Sequence, residues 1–363
     1  MIERVRNSWT ISLPVLGLIA LVATWQRDLP AVVVVIVSLI LFGCVLAAVH
    51  HAEVVAHRVG EPFGSLVLAV AVTVIEVALI ITLMISGGEE TETLARDTVF
   101  AAVMITCNGI VGIALLLGSI RHNLPRFNPE GTGAALGVVI TLTTITLVLP
   151  TFTTSLSGPR FTPAQLAFFA VAALLLYGAF VYTQTGRHRD FFLPVSAAGR
   201  TIDEEVHAGP PSLTATYISL GTLVVALVAV VGLAKAVSPA IESGVAAAGI
   251  PNSFVGVVIA LLVLLPEGLA AAKAARANRM QTSLNLAFGS AMASIGLTIP
   301  AIAFATIWIT GPLSLGLGPV QLVLFLLTVA VSILTVIPGR ATRLQGAVHL
   351  IIFATFIFTA ISP

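Results

Sequence analysis

Apolar residues fill the chain in long runs, and short polar segments interrupt them at near-regular intervals. A helix needs roughly 20 apolar residues to cross a bilayer. On that scale the pattern predicts eleven spans, at about 9–25, 30–50, 64–86, 98–120, 133–152, 163–184, 213–237, 252–272, 283–309, 316–337 and 344–361. Punctuation such as "QRDLP", "SGGEETETLARD", "RHNLPRFNPEG" and "VIPGRATR" separates them. The first run follows "MIERVRN" and so resembles a secretion signal. However, "LIALVATW" offers no small-x-small cleavage site, so a retained helix is expected. The fold class is an all-α polytopic membrane protein.

Composition sharpens this picture. Charged residues make up 9% of the chain, hydrophobic residues 58%, and the mean hydropathy is +1.08. Soluble domains carry about 25% charged residues, so most of this surface must face lipid. A net charge of +1 gives no electrostatic case for nucleic acid. Cys44 and Cys107 both fall in apolar runs and read as buried free thiols. No Ser/His/Asp set, phosphate loop or nucleotide motif occurs, so neither a cofactor nor ATP is expected.

The basic residues orient the spans. With the N-terminus inside, the outside segments hold only Arg27, Arg96, Arg160 and Lys235 of the 17 Lys and Arg, and the inside segments hold the rest. Cytoplasmic loops carry the positive excess, so the expected arrangement is N-inside and C-outside in the inner membrane. The polar segment 185–212 divides the chain. The expected organisation is an N-terminal helix (1–29), a first repeat of five spans (30–184), a cytoplasmic loop (185–212) and a second repeat of five spans (213–363). Five is odd, so the second repeat enters from the opposite face, as in inverted-repeat transporters.

Candidate chemistry lies in two spans. Glu76 is the one ionisable residue of "FGSLVLAVAVTVIEVALIITLMI", and Glu267 sits in "FVGVVIALLVLLPEGLA". Aligning the two glutamates also places Phe63 over Phe254, and in the following spans Thr106 over Ser290 and Gly112 over Gly296. By the span assignment, these are the only acids deep in the membrane. A mid-bilayer carboxylate costs about 3 kcal/mol even on insertion scales and marks an ion or proton pathway by default. With no intramembrane Lys or Arg, the expected partner is a proton or a metal cation. Permanently protonated glutamates that join helices are the structural alternative.

The neighbourhood suits a hard cation, which prefers oxygen ligands. Pro266 has no N–H, which frees the Leu262 carbonyl four residues back. Thr73 lies one turn before Glu76. Thr106, Asn108, Asn285, Ser290 and Ser294 lie on the spans that follow. Small and hydroxyl residues also permit close helix packing, and for Asn108 and Ser294 the two readings stay open. His50, Glu53 and His57 in "HHAEVVAH" share one helical face. They could hold a metal at the inner end of the second span, but read mainly as a polar helix end, with proton entry or pH sensing as a further functional option. His349 is a lone histidine and reads as packing. The threonines of "TLTTITLVLPTFTTS" are expected to bond their own helix backbone.

At these residues the chain resembles the calcium/proton exchangers of the cation/calcium antiporter superfamily, and most nearly their bacterial sodium/calcium–proton antiporter subgroup. The segments concerned are "GEPFGSLVLAVAVTVIEVALI", "LLPEGLAAAKAA" and "QTSLNLAFGSAMASIGLTIPAIA". The resemblance covers nearly the whole chain. It implies alternating access with one essential glutamate per repeat, here Glu76 and Glu267. Many members carry Gly-Asn-Ala before each glutamate; this chain reads "TVIE" and "LLPE". Two expected calcium ligands are thereby missing, which leaves Ca2+, Na+ and K+ all open as cargo exchanged for protons. The central loop has only "DEE" at 203–205, too little for a calcium sensor. A monovalent antiporter with little Ca2+ transport is the alternative. An intramembrane enzyme with paired carboxylates and a passive channel are the rivals from other classes. The inverted repeat and the lack of a headgroup or metal motif count against an enzyme.

The charge bias yields a direct test of topology. A reporter fused after Pro363 that is active only outside the cytoplasm should be active. Activity of a cytoplasm-only reporter there would overturn the span count or the orientation.

Overall fold

The computed structural model describes residues 8–27, 29–60, 63–87, 91–186, 188–195, 211–308 and 312–363. The "DEE" of 203–205, Arg4, Arg6, Arg187 and Arg200 therefore lie outside the described residues, as does the side chain of Phe63. Among the described residues, nine helices are long and apolar enough to cross a membrane, and two shorter apolar helices, Ser8–Thr24 and Ala69–Ile85, bring the total to the eleven expected. The chain folds as two compact units: residues 1–91 with 207–255, and residues 92–206 with 256–363.

The first unit contains α1 (Ser8–Thr24), α2 (Ala31–Val59), α3 (Phe63–Gly87) and α9 (Leu213–Ala247). Small residues set its packing. A Cβ on Gly17 would come within 3.0 Å of Ala229, so α1 meets α9 at van der Waals distance. The Cys44 thiol donates to the Leu13 carbonyl at 3.3 Å. Close approach of this kind drives helix association where lipid removes the hydrophobic gain. Helix α2 runs nine residues past the predicted end. The apolar run stops near His50, but helical hydrogen bonding continues to Gly60, whose φ of +75° is a conformation that glycine adopts without steric cost. Hydropathy measures apolar length, not hydrogen-bond continuity, so it missed these turns.

The second unit contains the remaining helices. The fourth span is α4 (Leu94–Met104), a π-turn (Ile105–Ile110) and α5 (Val111–His122). The fifth is α6 (Pro129–Thr143), a second π-turn (Thr144–Val148) and α7 (Leu149–Phe152). Then come α8 (Pro163–Thr185), α10 (Phe254–Arg276), α11 (Met280–Ala305), α12 (Pro319–Val336) and α13 (Arg343–Ile361). Side chains cap the helix starts. Asn128 accepts from the N–H groups of Glu130 and Gly131, and Thr162 with Gln165 and Thr342 with Gln345 form capping boxes. Thr141, Thr143, Thr144 and Thr146 donate to carbonyls four residues back, as the sequence predicted, whereas Thr151 of the same stretch donates to the Leu317 carbonyl at 2.9 Å, because the extended segment beside it offers that acceptor.

Non-helical backbone is also bonded. The extended segment 312–318 donates from Ser314 to the Glu92 carbonyl, from Gly316 to Pro159 and from Leu317 to Leu147, at 3.0, 3.0 and 2.9 Å. Leu147 belongs to the second π-turn. At the start of this unit, α4 begins four residues earlier than predicted, which buries Asp97 in its first turn. Asp97 accepts from Arg96 at 2.8 Å, Thr93 at 2.8 Å and Gln321 at 3.3 Å. The sequence placed this acid in an outside loop.

Helix α13 presses on α5 without a side chain between them. A Cβ on Gly346 would lie 2.7 Å from the Leu116 backbone nitrogen. Gly346→Ala should therefore destabilise the solubilised protein by about 2 kcal/mol in a thermal melt, the range of an overpacked core. Gly221→Ala, where a Cβ meets nothing within 4 Å, should be neutral or gain up to about 1 kcal/mol of helix propensity. Equal shifts in the two variants would contradict the proposed contact.

Candidate functional site

Among the described residues three acids are buried, Glu76, Asp97 and Glu267, and no Lys or Arg is. Asp97 is held by its neighbour Arg96. The two predicted glutamates lie in different units. In the first, Glu76 on α3 is 3% exposed, and Thr73 one turn earlier is buried as well. Ile75, Leu79 and Ile80 are buried beside them, so this carboxylate stands in an apolar helix packed on α2 and α9.

In the second unit, Glu267 on α10 is 9% exposed. Two glycines fix the register of α10 against the fourth span. A Cβ on Gly256 would lie 2.8 Å from the Thr98 nitrogen, and a Cβ on Gly268 would lie 3.6 Å from Ile110 Cδ1. The steps from 256 to 268 and from 98 to 110 are equal, so the rods run parallel and in step. Glu267 is therefore level with Gly109, inside the first π-turn. Such turns are rare and occur often at functional sites. Pro266 sits within α10, and its missing N–H leaves the Leu262 carbonyl without its helical donor.

The oxygens expected around Glu267 differ in what they already do. Thr106 is buried and its hydroxyl donates to the Ala102 carbonyl at 2.7 Å, which leaves its lone pairs available. Helix α11 returns antiparallel to α10, with Ser283 donating to the Ala271 carbonyl at 2.8 Å. That register places Ser290 about one turn from the level of Glu267, by the helical rise. Ser294, another turn on, is buried. The Asn285 amide is engaged at both ends: Nδ2 donates to the Phe192 carbonyl at 2.7 Å, and Oδ1 accepts from Gln281 at 2.9 Å. It ties α11 to the short 3-10 turn Arg189–Phe192 that opens the central loop. The Asn108 amide is engaged too, donating to Thr328 at 2.9 Å and accepting from His349 at 3.2 Å.

The "HHAEVVAH" face is mostly outward: His50 is half-buried, and Glu53 and His57 are exposed. The buried histidine is the adjacent His51, which donates from Nε2 to the Thr10 carbonyl at 3.1 Å. No three His, Cys, Asp or Glu groups among the described residues gather as a metal site. Both cysteines are buried free thiols, as predicted.

Sequence reasoning missed three features. Asp97 was lost because a helix start cannot be placed to within a turn from hydropathy. The π-turns leave no mark in hydropathy. The polar face of α12, Thr328, Ser332 and Thr335, did leave a signal: spacings of four and three put them on one side of an otherwise apolar helix. All three are buried; Thr335 bonds His349 and Thr328 bonds Asn108, in place of the plain packing predicted for that histidine, while Ser332 Oγ has no hydrogen-bond partner among the described residues.

Comparison with known proteins agrees with this architecture. The family model described as sodium/calcium exchanger protein matches residues 29–186 and 218–362. A protein of Sinorhizobium fredii named as ionic transporter y4hA is 45% identical over 362 residues, 98% of this chain and 96% of that one. The sodium-potassium/proton antiporter ChaA of Escherichia coli is 34% identical over 349 residues, 95% of this chain and 94% of that one. The solved structure of YfkE, a Ca2+/H+ antiporter, has a TM-score of 0.73 at 17% identity and covers 97% of this chain and 98% of that one, a likeness of fold. The chain thus belongs to the sodium/calcium exchanger family and is a membrane-embedded cation antiporter, not an enzyme.

Proposed function

We propose that the protein exports a cation in exchange for protons by alternating access, with Glu76 and Glu267 as the groups that take up both. The observation that carries this reading is the burial of one carboxylate in an apolar span of each unit. A buried carboxylate is expensive as a bare charge and acceptable when it holds a proton or a cation. Proton and cation then compete for the same oxygens. A loaded, neutralised state crosses the low-dielectric barrier, and a bare doubly charged state does not cross cheaply. That asymmetry couples the two fluxes, because a ligand shifts a conformational equilibrium only through differential affinity.

In this proposal Thr73, Thr106, Ser290, Ser294 and the Leu262 carbonyl supply neutral oxygens. Asn108 and Asn285 brace the helices that carry them. The repeats are inverted, spanning 30–184 and 213–363, and the protein sits in the inner membrane with its N-terminus cytoplasmic and its C-terminus outside. Two carboxylates carry the charge of one divalent ion, which favours Ca2+ as cargo. A second reading, Na+ or K+ with one glutamate kept protonated, is favoured by the 34% identity to a sodium-potassium/proton antiporter.

Everted vesicles with a pH dye, given Ca2+, Na+ and K+ in turn, test the function and separate the two cargo readings. Glu76→Gln and Glu267→Gln should each fold and lose exchange about 100-fold, the scale of a lost interaction with a charged group, about 3 kcal/mol. A normal rate in either variant would remove that glutamate from the mechanism.

Coupling has its own test. Adding the exchanged cation to purified protein in weak buffer should release protons, and less as pH rises and fewer protons are bound. The same release from the Glu76→Gln/Glu267→Gln double variant would refute the shared-oxygen mechanism.

A further inference from the structure

The first π-turn departs from regular helical bonding, and its Asn108 side chain is held by two neighbouring helices. In a regular helix the Val111 N–H would go to the Cys107 carbonyl, four residues back. Here it goes to Thr106 and Asn108 instead. The Cys107 carbonyl therefore loses this helical donor, and irregular backbone of this kind is tolerated where the surrounding protein braces it. The brace reaches the turn through Asn108, whose amide meets the ring of His349 on α13. His349 is 0% exposed.

The surrounding bonds fix the state of the ring. The Thr328 hydroxyl donates to its own helix at Leu324, 2.8 Å away, so it accepts from Asn108 Nδ2 at 2.9 Å. That turns Asn108 Oδ1, an acceptor only, toward His349 Nδ1 at 3.2 Å. Nδ1 must then carry the proton, and Nε2 accepts from the Thr335 hydroxyl at 3.0 Å. Every polar atom of the ring is engaged. Close packing delivers it: Gly346, one turn earlier on α13, sits against the Leu116 backbone, and a Cβ on Gly112 would touch His349 Cβ at 3.1 Å.

We propose that His349 is a positioning residue for cation exchange: its Nδ1–H bond to the Asn108 amide keeps the π-turn wide, and so fixes the direction in which Thr106 faces. This rests on the function proposed above for Glu267 and Thr106. Without the clamp the turn relaxes toward regular α geometry, and removing one residue from the wide turn rotates Thr106 by about 100° relative to the helix beyond it. The bonds from Asn108 to Thr328 and His349 oppose that rotation, which would carry the Thr106 oxygen to another face of the helix. His349→Leu removes the donor. His349→Asn keeps an N–H near the place of Nδ1, while Thr335 can turn to its own helix at Val331.

The test uses the full-length protein. In everted vesicles titrated with Ca2+, Na+ and K+, His349→Leu should raise the half-saturating cation concentration about tenfold with little change in maximal rate, the scale of one buried hydrogen bond. His349→Asn should restore it to within about threefold. Unchanged half-saturation in His349→Leu, or His349→Asn as impaired as His349→Leu, overturns the proposal. If His349→Leu does not reach the membrane, Thr328→Val, which frees the far side of the Asn108 amide, must shift half-saturation in the same direction, and wild-type behaviour there overturns the proposal equally. Hydrogen–deuterium exchange of amides 107–112 separates this idea from the function it rests on. If the wild type exchanges none of the three ions, the functional reading fails, yet the clamp still requires faster amide exchange in His349→Leu than in wild type and His349→Asn. Equal amide exchange in all three would refute the clamp.

Discussion

Where no water is available, every backbone and side-chain polar group must find its partner inside the protein. Much of this structure follows from that constraint. Regular helices meet it by themselves, which is why eleven apolar helices dominate the described residues. The departures are more informative, because each needs a partner from elsewhere in its unit. The extended segment 312–318 is bonded to Glu92, Pro159 and Leu147, and the first π-turn is bonded to α12 and α13. Irregular backbone at depth is tolerated only where protein surrounds it, so these places are costly to maintain.

Charge obeys the same constraint more strictly. Asp97 resolves its burial with a neighbouring Arg96 and two further donors, Thr93 and Gln321. Glu76 and Glu267 are placed differently, in spans whose buried neighbours are apolar or carry neutral oxygens. In the proposed exchange these two acids would alternate between proton and cation, whereas Asp97 locks helices together through its bonds to Arg96 and Gln321.

Glycine and proline do much of the positioning. Gly256 and Gly268 bring α10 close to the fourth span at two points and so fix the level of Glu267. Pro266 opens a carbonyl in the turn that precedes that carboxylate. Gly346 and Gly112 let α13 approach α5, so a short imidazole can reach the π-turn. Few of these residues carry chemistry themselves, yet they decide which oxygens share a level.

The sequence alone determined the number of spans, the all-helical class, the two buried glutamates and the antiporter family. These depend on apolar run length, on the rarity of an acid within such a run, and on motif identity, all of which are local. Helix ends were less legible: α2 continues to Gly60 and α4 starts at Leu94, because hydrogen bonding outlasts hydropathy and precedes it. Tertiary structure alone decided what each polar side chain faces. Asn108, Asn285 and His349 look alike in sequence, as isolated polar groups in apolar helices. Asn285 ties down the loop, while Asn108 and His349 secure a π-turn. Those roles depend on which helix stands opposite and at what register, and long-range close approach sets both.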